Sequence, residues 1–176
     1  MLVKHNLLLD SHLENPQYWQ NEKNFKQDGA VITAIFNQPG SLGLILQTNE
    51  ELKADVDYTL SVYAKGTKNF RIDYNYFISK EYGNKPIKYN SKDYLPNAWH
   101  RVVIPFKHNE PVKYNSILFG FNYNLDDYME LSFKYPKLEV GKETTLYTPN
   151  KQELAAENQA YYPSEGNYKE IQAMRG

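Results

Sequence analysis

Short runs of alternating apolar and polar residues fill the first 150 positions, with the period of two that a strand with one buried face shows. Met129, Leu131, Phe133 and Tyr135 alternate with Glu130, Ser132 and Lys134. Tyr58, Leu60, Val62 and Ala64 alternate with Thr59, Ser61 and Tyr63, and Ile117, Phe119, Phe121 and Tyr123 with Leu118, Gly120, Asn122 and Asn124. Residues 6–11, 30–36, 42–48 and 99–106 read as further strands, with Leu7 and Leu9 of the first facing one way. Turn signals separate them: Asp28-Gly29, Gln38-Pro39-Gly40, Lys65-Gly66-Thr67 and Leu125-Asp126-Asp127. Pro136 lacks a ladder donor and is expected to end the pairing of the closing strand, leaving Lys137–Gly141 as a short second run. About eight or nine strands with no helical period predict an all-β chain, an antiparallel two-sheet β-sandwich.

Residues 70–78 carry the sharpest expectation. Phe70, Ile72, Tyr74, Tyr76 and Ile78 are predicted to face the core, and Arg71, Asp73, Asn75 and Phe77 a groove or solvent. Tyr74→Ala is then expected to cost roughly 3 kcal/mol and Asn75→Ala almost nothing. Residues 79–97 form a long loop with Tyr82, Tyr89 and Tyr94, in which a short strand at 87–90 is hidden on one reading. After Asn150 the character changes. Residues 151–160 predict a short helix, stopped by Tyr161-Tyr162-Pro163, and the rest is polar. Residues 1–150 are thus read as one sandwich and 151–176 as an arm. The arm is either a frayed terminus or a segment that orders against a partner through Leu154, Tyr161, Tyr162, Tyr168, Ile171 and Met174.

Composition narrows the chemistry. Twenty Lys and Arg against 21 Asp and Glu leave a net charge of −1, which argues against a nucleic-acid groove. The absence of Cys excludes disulfides and thiolate zinc sites. The apolar run before Asp10 is too short for a signal peptide or a membrane span, so cytoplasmic synthesis without membrane insertion is expected. His5, His12, His100 and His108 have no metal-site spacing, Gly40-Ser41-Leu42-Gly43 is not a nucleophile elbow, and no phosphate-binding glycine loop is present. Asp126 and Asp127 read as solvated turn acids. No catalytic residue, metal or cofactor is therefore predicted. The 16 Tyr, 8 Phe and 2 Trp, 15% of the chain, point to recognition instead, because a tyrosine ring packs while its hydroxyl stays hydrated.

Four motifs in order resemble the jelly-roll domains of tail and baseplate proteins from phages of Gram-positive bacteria, which are similar to carbohydrate-binding modules. They are Asn6–Ser11 with Trp19 following, Tyr58–Gly66, Trp99-His100-Arg101-Val102, and Pro136–Gly141 with Tyr147–Asn150. The resemblance implies a jelly roll over roughly residues 6–150. It implies a structural virion protein, an adaptor that docks other tail or baseplate proteins in several copies per particle and so is located in the virion. The alternative it implies is a carbohydrate-binding module that adheres to host cell-wall polysaccharide or teichoic acid. It also implies a structural calcium held by an early acid, for which Glu14 is available, and by a carboxylate near the closing strand, where this chain instead has Lys134-Tyr135-Pro136. A sugar or partner face needs rings to stack on and polar groups for hydroxyls. The residues nominated for it are Tyr63, Arg71, Asp73, Asn75, Phe77, Asn122 and Asn124, helped by Tyr82, Tyr89 or Tyr94 from the long loop.

Overall fold

A computed structural model describes residues 4–79 and 81–153. Ten strands form two antiparallel five-stranded sheets, packed as a jelly-roll sandwich with almost no helix. The strands are β1 (Gln17–Trp19), β2 (Phe25–Asp28), β3 (Val31–Phe36), β4 (Gly40–Leu52), β5 (Tyr58–Gly66), β6 (Tyr76–Ile78), β7 (Lys85–Pro86), β8 (His100–Phe106), β9 (Tyr114–Tyr123) and β10 (Met129–Val140). The first sheet has the order β1-β4-β9-β6-β7 and the second β2-β3-β10-β5-β8. The predicted alternations of β5, β9 and β10 point into the core between them. Leu60, Val62, Ile117, Phe119, Leu131 and Phe133 are all at most 2% exposed. Phe133 meets Phe119 and Phe121 edge to face at 6.0 Å, which ties the middle of one sheet to the middle of the other.

Four local expectations fail, each because pairing or tertiary contact overrides the local period. Pro136 does not end β10. The strand passes it in a bulge, with the register to β5 shifting between Lys134 and Lys137, and Tyr135 takes φ 54°. Tyr135 therefore leaves the core phase and is 39% exposed, while Leu138 takes up the core position beyond the bulge. The opening segment makes a single bridge, Leu8 to Thr48, rather than a full strand, and Leu8 is buried where Leu9 is exposed. In the loop, the short strand falls at Lys85–Pro86 rather than 87–90.

The fourth failure lies in residues 70–78. Phe70 and Ile72 are buried as expected, but the phase slips before the strand resumes, because Tyr74 N donates to Gly120 O and Tyr76 pairs with Leu118. That register turns Asn75 and Phe77 inward, to 5% exposure each, and puts Tyr74 and Tyr76 on the outside. Phe77 stacks on Tyr114 at 4.8 Å and meets Phe106 at 5.3 Å. The predicted arm begins with one 3-10 turn, Lys151–Glu153, and Leu154, Tyr161, Tyr162, Tyr168, Ile171 and Met174 lie outside the described residues.

Residues 144–150 cross the outside of the second sheet and bury two charges there. Lys137 and Glu139, both on that face, have fully buried side chains 3.9 Å apart. Thr145 serves both. Its hydroxyl accepts from Lys137 Nζ at 2.8 Å and donates to Glu139 Oε1 at 2.7 Å, and its N–H donates to the same carboxylate at 3.1 Å. The charges are tolerated because each is hydrogen-bonded.

Two stability outcomes follow. Phe77→Ala should cost about 3–5 kcal/mol by chemical denaturation, whereas Tyr74→Ala should cost only about 1 kcal/mol, reversing the expectation from alternation alone. Lys137→Met should cost about 3–5 kcal/mol by stranding the Glu139 carboxylate, and adding Glu139→Leu should recover part of the loss. A double variant as unstable as the sum of the singles would mean that the two side chains do not act as a pair.

Candidate functional site

The outward face of the first sheet is built around two glycines. Gly43 and Gly120 are a directly paired couple on the central strands β4 and β9. Neither position has room for a side chain: a Cβ on Gly43 would stand 2.7 Å from Phe119 O, and one on Gly120 would stand 2.9 Å from Leu42 O and Tyr74 O. Leu42 and Leu44 point into the core, so Gly43 between them belongs to the outer face. On one side Trp19 pairs with Gly43, and on the other Tyr74 binds Gly120 through its N–H. Paired residues share a face, so Trp19, Gly43, Gly120 and Tyr74 form one row across the sheet. With strands about 4.8 Å apart, the backbones of the two aromatic residues stand roughly 14 Å from each other. The floor between them is low at the two glycines, and neighbouring side chains lean over it: Leu118 Cδ1 lies 3.0 Å from the Cβ position of Gly43 and Tyr74 Cδ1 3.2 Å from that of Gly120. Both are half-buried. Tyr76 extends the second wall, its ring T-shaped to Tyr74 at 4.9 Å.

One end of this face adjoins a cleft of about 390 Å³, lined in part by polar side chains and in part by the core residues Phe36, Phe70, Phe121, Met129 and Leu131. Asn122 belongs to both: it pairs with Ser41 on the face, its side chain takes the Ser41 hydroxyl hydrogen bond, and it lines the cleft. Arg71, Asp73, Asp93 and Asn124 line the cleft with it. Arg71 donates twice to Asp93, from Nε and Nη2 at 3.1 Å each, and Asn122 N donates to Asp73 Oδ1 at 3.1 Å. The turn at its rim is anchored by Asp127, which accepts from Lys68 Nζ and Tyr123 Oη.

Of the nominated residues, Arg71, Asp73, Asn122 and Asn124 come together in this cleft. Asn75 and Phe77 are withdrawn into the core by the phase slip. Tyr94 is buried and stacked on Phe70 at 5.2 Å. Tyr89 is half-buried with its hydroxyl donating to Ile72 O at 2.8 Å, and burial pushes its phenol well above the usual range. Tyr82 is exposed on the loop, outside the cleft lining, and Tyr63 lies on the opposite sheet. The long loop thus supplies Asp93, not its tyrosines. Trp19, Gly43, Gly120, Tyr74 and Tyr76 were not nominated. Period-two reading put the two tyrosines inside, and nothing local marks two glycines 77 positions apart as partners, since their pairing is set by the register of β4 against β9.

A calcium does not fit the residues that the resemblance offers. Glu14 is exposed, its neighbour Asp10 uses its carboxylate to accept from the N–H groups of Glu14 and Asn15, and Lys134 and Tyr135 lie on the other sheet. Among the described residues no group of three or more His, Asp or Glu could hold a metal.

These two layers define a class of fold, the two-sheet jelly roll. No family model matches the chain, and no curated protein matches its sequence. Solved structures do match in shape. A CBM4 structure has a TM-score of 0.55 at 13% identity, covering 73% of this chain and 96% of that one. The N-terminal cellulose-binding domain of a β-1,4-glucanase from Cellulomonas fimi has 0.51 at 13%, covering 73% and 90%. A CBM61 structure in complex with β-1,4-galactotriose has 0.50 at 14%, covering 78% and 99%. The chain therefore has the fold of carbohydrate-binding modules.

The cleft rim has a pH signature. Hydrogen bonds from Lys68 and then Tyr123 hold the Asp127 carboxyl below its ordinary value, and those from Lys26 and then Tyr128 do the same for Glu130. A depressed carboxyl stabilises the fold above its unfolded pKa of about 4, and that contribution is lost as pH falls through the lower, folded value. The Lys68–Asp127 pair is exposed, and Glu130 is half-buried beside an exposed Lys26, so the effect is small and screened by salt. Lys68→Met should therefore bring the melting temperature closer to wild type at pH 3 than at pH 7.

Proposed function

We propose that this chain is a non-catalytic glycan-binding module whose site is the outer face of the first sheet and its adjoining cleft. The observation that carries the reading is the row Trp19, Gly43, Gly120, Tyr74. A saccharide ring has two apolar faces edged with hydroxyls. The two glycines keep the floor low under Leu118 and the Tyr74 ring, so that the floor is flat and apolar, the aromatic residues stack on the saccharide ring's faces, and the amides and carboxylates of Asn122, Asp73 and Asn124 answer its hydroxyls. The fold shared with carbohydrate-binding modules supports this reading above the adaptor role. So does the place of the closing motif, because Lys137, Glu139, Thr148 and Asn150 are buried and their work is internal.

The adaptor of a phage tail or baseplate is the second reading, supported by the motif resemblance. It is compatible with the first if the module is carried in several copies on a virion and adheres to host cell-wall glycan, where repetition would raise a weak single-site affinity. Mass spectrometry of intact particles tests that location.

For the site itself, the expected outcome is that Trp19→Ala and Tyr74→Ala each weaken binding of a soluble β-1,4-linked glucan or galactan by about tenfold, roughly 1.4 kcal/mol, with both variants folded and Tyr74→Ala melting only a few degrees below wild type, as a loss of about 1 kcal/mol implies. Titration calorimetry reads both. Unchanged affinity in both folded variants would remove this face as the site.

A further inference from the structure

We propose that the outer face of the second sheet is a separate binding site for an anionic saccharide or polyol polymer, one that carries phosphate or carboxylate groups along its chain. The inference stands independently of the neutral-glycan reading of the first sheet.

The face holds an open depression of about 540 Å³ lined by Tyr63, Trp99, Lys134, Tyr135, Leu146 and Tyr147. Tyr135 and Tyr147 lie 5.0 Å apart, and Tyr63 meets Tyr135 edge-on at 6.3 Å. Two ammonium groups share the Trp99 ring, Lys134 Nζ at 4.1 Å and Lys65 Nζ at 5.2 Å from its centre, and the Arg101 guanidinium lies 5.7 Å from the centre of Tyr63. Among the described residues no carboxylate lines the depression.

Some other surface cations are held by carboxylates: Lys26 with Glu130, Lys68 with Asp127, Arg71 with Asp93, Lys113 with Glu51. Among the described residues, Lys65, Lys134 and Arg101 enter no such pair. Arg101 Nη2 is already engaged with Ser61 Oγ and Thr145 O, whereas the two lysines, held over a ring, keep hydrogen-bond donors available for an incoming anion. Two like charges held near one indole repel each other, and a bound anion offsets that repulsion.

The bulge bears on the same face. Continued alternation would have put residue 135 in the core behind Leu131 and Phe133. Instead Tyr135, a non-glycine residue at φ 54°, is turned out beside Tyr147. Strained conformations of this kind gather at binding sites, and bulges re-aim side chains. The rings would carry the carbon faces of the ligand and the ammonium groups its anions.

The test is calorimetry on the full chain with two polymers, poly(glycerol phosphate) and polygalacturonate, at about 0.1 M and about 1 M salt, where the screening length falls from about 10 Å to about 3 Å. We expect at least one polymer to bind and to weaken with salt. We expect Lys65→Gln/Lys134→Gln to bind it about tenfold more weakly at unchanged melting temperature, with Lys134→Arg near wild type. The preferred polymer identifies the anion as phosphate or carboxylate. Trp19→Ala, on the other sheet, should leave this binding intact, so failure of either site is read separately. If neither polymer binds, if the double glutamine variant binds as tightly as wild type, or if Trp19→Ala alone abolishes binding, the proposal is overturned.

Discussion

Asn6 is the point at which the two sheets become one body. Its side chain is 2% exposed and makes four hydrogen bonds, all to backbone. The amide donates to Pro136 O and Thr148 O at 2.9 Å, and the carbonyl accepts from Leu8 N and Leu138 N at 3.1 Å. The backbone continues the seam: Leu7 N reaches Leu138 O in the second sheet, and Leu9 N reaches Gln47 O in the first. Asn150 closes it from the other terminus, donating from its side chain to Asn6 O at 3.1 Å. A bulge leaves backbone groups without ladder partners, and a buried unpaired carbonyl or N–H is costly. An amide with two donors and one two-fold acceptor meets that need.

The seam in turn makes both outer faces possible. Because Asn6 accommodates the bulge at Tyr135 and Pro136, the closing strand can change phase without forfeiting its hydrogen bonds. Before the bulge it feeds Leu131 and Phe133 to the core. After it, Leu138 fills the core while Lys137 and Glu139 turn to the covered side, where residues 144–150 supply their partners. At the margin of that cover Tyr135 is exposed and Tyr147 half-buried.

The two faces differ in chemistry because their strands differ in what they leave outside. The first sheet presents paired glycines between aromatic walls and ends in a cleft of amides and a matched Arg71–Asp93 pair. The second presents rings topped by cations. One scaffold thus carries two outer faces of different chemistry.

Much of this was legible in the residues. Alternation is a local property, so β5, β9 and the first half of β10 declared their buried faces, and with the turn signals they implied two layered sheets. The types of residue missing, cysteine above all, removed whole classes of chemistry. Arg71, Asp73, Asn122 and Asn124 were nominated because polar residues opposite apolar ones in a strand must face outward, and that logic held wherever the phase held. What the chain could not declare locally was where its phase changed. The slip between Ile72 and Asn75 is dictated by the hydrogen bond of Tyr74 to Gly120, and the bulge at Tyr135 by the seam at Asn6, partners 46 and 129 positions away. A one-residue shift inverts every side chain beyond it. The period of a strand is written in its own residues, but its origin is set by the neighbour it pairs with, and only the tertiary structure supplies that neighbour.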